Sequence, residues 1–399
     1  MSYALISRSD DLRRLLNEGF ELEVGSGYVR LSHIPYVTAS RTVRYGVLAC
    51  SLVVAGGTTG HPTDHTVRWV GDYPCDPSGH QLTQLVNNPS LHEQVSDDLV
   101  ATFSFSHKPT GGYPDYYQQL VAYARILEGY AREVDSSVTA RPFTVVKLRE
   151  DESVFRYMDT ASSRAGILEL SAKLEGERIA IIGLGGTGGY VLDLVSKTAV
   201  REIHLFDADS FQEHNAFRSP GAASAEELEA KPTKVAWLSG VYARLRRNVI
   251  PHPYNVTEAN LSELDSMTFV FLCYDGGSSK RAVVQHILSR TIPFIDVGMG
   301  MRLREGVIDG LVRVTACTAD RNGHVDDRIP FGSTEDDLYS TNIQTVDLNS
   351  LNAALAVIKW KKLRGFYFDQ RREHNSVYNV SKNLLTSDEP NDETREDSR

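Results

Sequence analysis

The stretch Arg178-Ile179-Ala180-Ile181-Ile182-Gly183-Leu184-Gly185-Gly186-Thr187-Gly188-Gly189 decides the fold. Ile179 to Ile182 form an unbroken apolar run, the pattern of a strand buried on both faces. Glycines 183, 185, 186 and 188 come directly after it. Without side chains, they let backbone N–H groups come close to phosphate oxygens, and the next helix points its N-terminus at them. The second apolar run, Ile203-His204-Leu205-Phe206, ends at Asp207-Ala208-Asp209. A strand-end carboxylate there accepts from ribose hydroxyls. These residues fit NAD and ATP equally.

The residues beyond Asp207 separate the two nucleotides. Asn215, Arg218 and Lys234 form a basic arm after the acidic strand end, with Lys231 as the alternative lysine. Guanidinium and ammonium groups that converge on a triphosphate neutralise charge as pyrophosphate leaves. A site that only holds a dinucleotide has no use for them. Asp209 adds a second carboxylate near a phosphate site, which suits either Mg²⁺ binding or a turn and cap role. A further apolar run, Phe269 to Tyr274, ends at Asp275. The carboxyl end of a central strand is where open α/β sheets bind ligands. Asp275 either positions metal and nucleophile there or caps the helix beginning near Ser278.

Working outward, strands at 179–182, 203–206, 249–254, 268–273 and 293–297 alternate with helices near 188–198, 233–246 and 278–289. That rhythm predicts a Rossmann-like, mainly parallel sheet covered by helices. Val307 to Thr315 reads as an added antiparallel strand, 318–342 as a long polar loop, and Leu348 to Leu363 as an apolar helix stopped by Gly365. Residues 1–150 read as a smaller β-rich α+β domain: a short helix at 10–16, β-patterned sequence from Phe20 to about Phe105, and a helix from Tyr116. The expected organisation is therefore 1–150, a nucleotide-binding domain at 151–385, and a charged, disordered tail at 386–399. A net charge of −10 disfavours nucleic acid and anionic membrane as partners. No long apolar run suggests a membrane span, and four scattered cysteines suit a reducing compartment, so the expected location is cytoplasmic.

Taken together, Arg164 to Leu363 resembles the adenylation domain of the ThiF/MoeB/ubiquitin-activating (E1-like) family. The resemblance rests on Gly183-Leu-Gly185-Gly186-Thr-Gly188, Asp207-Ala-Asp209, Asn215-Ala-Phe-Arg218, Lys234 and Asp275. It implies ATP and Mg²⁺ as cofactors, with ribose on the strand-end acid, triphosphate on the Asn, Arg and Lys, and Mg²⁺ and acyl transfer served by Asp275. It implies a homodimer in which Arg164 reaches the partner subunit's site. The implied reaction is adenylation of the C-terminal carboxylate of a ubiquitin-like or sulfur-carrier protein, with a conjugating enzyme as a possible further partner. Where the family often carries Asn after that aspartate, this chain has Gly276.

The resemblance has limits. Paired C-x-x-C zinc motifs are absent. The 318–342 loop, where E1-like enzymes often place a thioester cysteine, contains none. Cys317 sits in a strand, and Cys75 lies in the turn-like Asp72-Tyr73-Pro74-Cys75-Asp76-Pro77, which reads as exposed but has acids that would raise the thiol's pKa. The segment Ser104-Phe105-Ser106-His107-Lys108-Pro109 with Gly111-Gly112-Tyr113 has the look of a motif without a stated chemistry. The N-terminal domain is expected to dock a substrate or partner. Two other functions fit the residues: adenylation of a small-molecule or tRNA-borne carboxylate, and a nucleotide-binding sensor or scaffold.

Overall fold

In the computed structural model, which describes residues 2–146, 148, 150, 153–275, 278–331 and 343–388, the chain divides into two compact units. The first is Met1–Glu152 with Tyr157–Leu168; the second is Ser153–Arg156 with Glu169–Arg399.

In the first unit, α1 (Ser2–Arg8) and α2 (Asp10–Asn17) lead into β1 (Glu21–Gly25), β2 (Tyr28–Val37) and β3 (Val43–Ser51). A small hairpin, β4 (Val54–Ala55) with β5 (Thr58–Thr59), precedes β6 (Thr66–Val70) and β7 (Val86–Asn88). A second, β8 (Glu93–Ser96) with β9 (Leu99–Ala101), precedes β10 (Phe103–Ser106), then α3 (Tyr116–Val134) and α4 (Thr160–Ala165). The main sheet is antiparallel, in the order β1-β2-β3-β6-β10-β7. Asp115 caps α3, its carboxylate accepting from the Gln118 N–H at 2.7 Å. Helical spacing puts Tyr116, Leu120, Tyr123, Ala124 and Leu127 on one buried stripe. In the core, Trp69 lies 5.1 Å from Tyr36 and 5.3 Å from Phe105, ring to ring.

The Ser104–Tyr113 segment proves to be a clasp. The His107 N–H donates to the Tyr123 hydroxyl at 2.7 Å, and its Nδ1 lies 2.8 Å from the Tyr113 hydroxyl. These bonds tie the loop after β10 to α3. The ring contacts supply a structural reason for the residue types without a reaction.

In the second unit, α5 (Leu168–Ala172) precedes β11 (Arg178–Ile182), α6 (Gly186–Ser196) and β12 (Glu202–Phe206). Short α7 (Glu213–Ala216) and α8 (Ala225–Glu229) lead to α9 (Lys234–Tyr242), β13 (Val249–His252), β14 (Phe269–Leu272) and α10 (Ser278–Ser289). Then come β15 (Phe294–Arg304), β16 (Val307–Cys317), α11 (Val325–Arg328), α12 (Val346–Leu363), β17 (Asn375–Asn379) and β18 (Leu384–Ser387). The sheet order is β13-β12-β11-β14-β15-β16-β17-β18. The five strands from β13 to β15 are parallel and the last three join antiparallel. This is the expected mixed α/β fold with a β-rich domain before it.

Period-two alternation sorts the parallel strands onto two cores. Ile179, Ile181, Ile203, Leu205, Phe269 and Phe271 face a core that also holds Val191, Val195, Leu238, Ala353 and Trp360. Ala180, Ile182, Phe206, Val270 and Leu272 face the other, with Val283, Val284, Ile287 and Cys317. Burial on both faces is why these strands read as unbroken apolar runs.

Three expectations need correction. The fifth parallel strand does not stop near 297 but runs to Arg304, because β16 pairs with its whole length. Within the loop at 318–342, Val325–Arg328 is helical, with Val325 and Ile329 buried; 332–342 lie outside the described residues. Thr386 and Ser387, assigned to the tail, pair with β17 as part of β18, and 389–399 lie outside the described residues.

Packing against β16 also perturbs His374. Burial pushes its imidazole down to about 4, and the charges of Arg321 and Lys359 act in the same direction, against the bond from its ring to the Arg372 carbonyl. A proton therefore prefers the unfolded chain, where the ordinary value is 6.5. The stabilisation is complete above that value and is lost as pH falls toward 4. Urea midpoints should fall between pH 7.5 and 5, and His374→Asn should shrink that fall. An unchanged pH difference in the variant would remove His374 from the account.

Candidate active site

The strand order reverses between β11 and β14: β12 lies beside β11 on one side, and β14 on the other. Their carboxyl ends open the crevice in which such sheets bind ligands. Gly183 leaves β11 at φ +87°, and a Cβ there would stand 2.7 Å from the Cys273 carbonyl, so only glycine makes this turn. At Gly188, on the first turn of α6, a Cβ would run into the Gly183 carbonyl. Gly185 and Gly186 start α6, which has no side-chain cap on its first N–H groups.

Asp207 anchors this loop. One carboxylate oxygen accepts from the Leu184 N–H at 2.7 Å, and the other accepts from the Asp209 N–H at 2.9 Å. Asp207 is 6% exposed. Each oxygen has a second lone pair. Lys234, the first residue of α9, is brought to the same place because its N–H donates to the Asp209 carbonyl at 2.9 Å and Thr233 caps the helix. Its ammonium lies 2.6 Å from Asp209 Oδ2 and 3.5 Å from Asp207 Oδ1. Asp209 is thus the lysine's partner, with its own side chain largely exposed. Lys231 is exposed and sits at φ +47°. Lys234, not Lys231, is built into the acidic strand end.

Asn215 is buried at 1% exposure; its Oδ1 accepts from the Gln212 N–H at 3.0 Å, and its Nδ2 has no partner. Arg218 is half-buried, with Nε unpartnered. The Ser219–Pro220 step just after it lies against Gly189 in α6. Buried unsatisfied N–H groups cost about 1–3 kcal/mol each, and both belong to the basic arm picked out in the sequence. Asp275 is exposed at the end of β14, lining the crevice with Gly185, Gly186, Thr187 and Tyr274. Gly276 lies outside the described residues. Arg164 belongs to the first unit, on α4, where its guanidinium donates to the Asn17 carbonyl at 3.3 Å.

Two site residues escaped the sequence reading. Asn349 and Asn352 lie on α12 and line the crevice, each 1% exposed. Asn349 Oδ1 accepts from the Thr187 hydroxyl at 2.9 Å, and Asn352 Nδ2 donates to the Gly298 carbonyl at 3.1 Å. Asn349 Nδ2 and Asn352 Oδ1 are left unpartnered. Polar residues three apart within an apolar helix were the available signal. The apolar side of α12, with Ala353, Ala356, Val357 and Trp360, packs into the unit's own core.

The Cys75 thiol is a correction, while Cys317 lies in its strand as expected. Cys75 is 1% exposed, because the turn carrying it bridges to Val37 and Gln81 and faces the thiol inward. Burial first, then Asp76, pushes its pKa up. Cys317 is fully buried and pushed up to about 12 by burial. Nucleophilic thiols need the opposite setting. In native protein at neutral pH, iodoacetamide should modify Cys75 and Cys317 far more slowly than in urea. Rapid native labelling of either, read by mass spectrometry, would contradict this placement.

A glycine turn, a strand-end acid and the Lys234 ammonium come together at the switch point of a mainly parallel α/β sheet. Residues 161–351 match the ThiF family. Residues 10–160 match a domain of unknown function, DUF6791. The chain is similar to solved structures of Escherichia coli MccB with ATP (15% identity, TM-score 0.47, covering 57% of this chain and 71% of that one). It is also similar to PaaA (14% identity, TM-score 0.46, covering 75% and 98%). These are distant likenesses. No curated protein matches the chain. No helix among the described residues is long and apolar enough to cross a membrane.

Proposed function

We propose that the second unit binds ATP in this crevice and adenylates a carboxylate, that of the C-terminus of a ubiquitin-like or sulfur-carrier protein. The observation that carries the reading is Lys234 held on Asp207 and Asp209 beside the glycine turn. It supports a phosphate-facing cation built into the ribose corner, which hydride transfer does not require. The free N–H groups at the start of α6 and the unpartnered Asn215 Nδ2 supply further donors for phosphate.

In the reaction, a carboxylate oxygen attacks the α-phosphorus. The bond from that phosphorus to the β-phosphate bridging oxygen breaks, giving acyl-adenylate and pyrophosphate. Asp207 holds the ribose, while Arg218 and Lys234 stabilise charge on the departing pyrophosphate. Arg164 would add to this from a partner subunit in a homodimer. The donor set suits Mg²⁺, which takes few protein carboxylates and keeps substrate phosphates as ligands. Asp275, exposed on the crevice, would hold it, and the ion would neutralise phosphate charge. With Cys75 and Cys317 buried, a thioester would form on a partner's thiol.

ATP–pyrophosphate exchange, with and without a ubiquitin-like protein bearing a free C-terminus, tests the reading. Exchange that requires the partner's free C-terminus supports it. ATP binding with no exchange on any carboxylate would leave a nucleotide sensor, and exchange with a small carboxylate alone would replace the protein substrate.

A further inference from the structure

A second cavity, of about 300 Å³, adjoins the crevice and shares Asp275, Val297, Gly298 and Met299 with it. Its remaining wall includes Lys280, Gly300, Leu311 and Arg313. Beneath it is an unbalanced ion cluster. Asp296 on β15 is 0% exposed and is paired with two cations, Lys280 from α10 and Arg313 from β16 at 2.6 Å. Lys280, 2% exposed, also donates to the Tyr274 carbonyl at 3.1 Å. One buried carboxylate balances only one of them.

Lys280 is the cation that Asp296 requires. It is as deeply buried, and an unpaired ammonium there would be costly. Arg313 is the surplus charge. Its side chain is 17% exposed and it lines the cavity. It bonds Asp296 and the Thr315 hydroxyl through its two terminal nitrogens, which leaves part of its five-donor fork unused. The backbone is shaped for this pose. Gly298 pairs with Arg313 across the strands, and a Cβ at 298 would stand 2.7 Å from the guanidinium. Arg313 can therefore lie flat over β15 toward Asp296 only because residue 298 is glycine.

We infer that Arg313 holds the carboxylate of the acyl substrate in this cavity, beside Asp275 and ahead of its transfer to the nucleotide crevice. A partly desolvated guanidinium with spare donors fixes a carboxylate by charge-assisted bonds. Arg313 is in this account a carboxylate-binding residue, and the inference rests on the adenylation reading only for the carboxylate's later fate.

The test uses full-length protein, with N-acetylglycylglycine and its C-terminal amide as probes and saturation-transfer NMR as the readout. ATP binding is measured in parallel by calorimetry. Arg313→Met leaves Lys280 and Asp296 as a balanced pair, so the fold should survive, as thermal melting would show. The acid should bind the wild type, the amide should bind at least tenfold more weakly, and Arg313→Met should lose the acid while keeping ATP. Arg313→Lys, which keeps charge without the fork, should recover part of the binding. Equal binding of acid and amide, an unaffected Arg313→Met, or no binding of the acid by ATP-competent wild type would each overturn the inference and leave the nucleotide reading standing. Loss of ATP binding in the wild type would instead remove the adenylation reading.

Discussion

Replacing Lys234 with methionine is expected to reduce ATP–pyrophosphate exchange by about 10²–10³-fold, the range for loss of one preorganised group that stabilises developing charge. The substitution also has a structural cost. It strips the counter-ion from Asp209 and from the buried Asp207. Breaking a buried pair leaves an uncompensated charge, and urea midpoints should fall accordingly. A second variant separates the two effects. Lys234→Met combined with Asp209→Asn removes the cation and one of the two carboxylates that it serves. Stability should recover only in part, because Asp209 is exposed and the buried Asp207 stays without its cation, while exchange stays low. If exchange returns with stability, Lys234 is a strut for the strand end and has no part in handling phosphate.

Asp207→Asn is expected to weaken ATP binding by about 10–100-fold, a change of about 1.4–2.8 kcal/mol, and to abolish measurable exchange. The reason lies in the donors around it. The Leu184 and Asp209 N–H groups point at two different carboxylate oxygens. An amide offers one oxygen and one NH₂. One of the two N–H groups then faces another donor, at about 1–3 kcal/mol, and the glycine turn or the Asp209 turn loosens. Calorimetric titration with ATP and urea unfolding, done together, distinguish the outcomes. Undiminished ATP affinity in a destabilised protein would confine Asp207 to holding the turn.

Much of this site was legible because its chemistry is local. Ile179–Ile182, the glycines after it and the acid ending the next strand are close in sequence, and period-two burial writes them as apolar runs. The basic arm was legible too, though its geometry was not. Lys231 and Lys234 cannot be ranked by type, and only the bond from the Lys234 N–H to the Asp209 carbonyl shows which ammonium reaches the acids. Asn349 and Asn352 arrive from more than 150 residues downstream of Thr187, as the Thr187–Asn349 bond shows, and a run of mostly apolar helix hides them.

The sequence by itself determined the class of domain, the strand order's repeating rhythm and the glycine turn, since each arises from backbone sterics and burial acting over a few residues. Tertiary structure alone decided which charges share a partner and which thiols face inward. Cys75 read as exposed because turns usually are, but a bridge to Val37 buries it. Asp296, Lys280 and Arg313 lie on a strand, a helix and another strand, and nothing in their spacing says that two cations meet one carboxylate. Pairing of that kind depends on which elements the fold packs together, and the energy of a buried charge depends on every group around it.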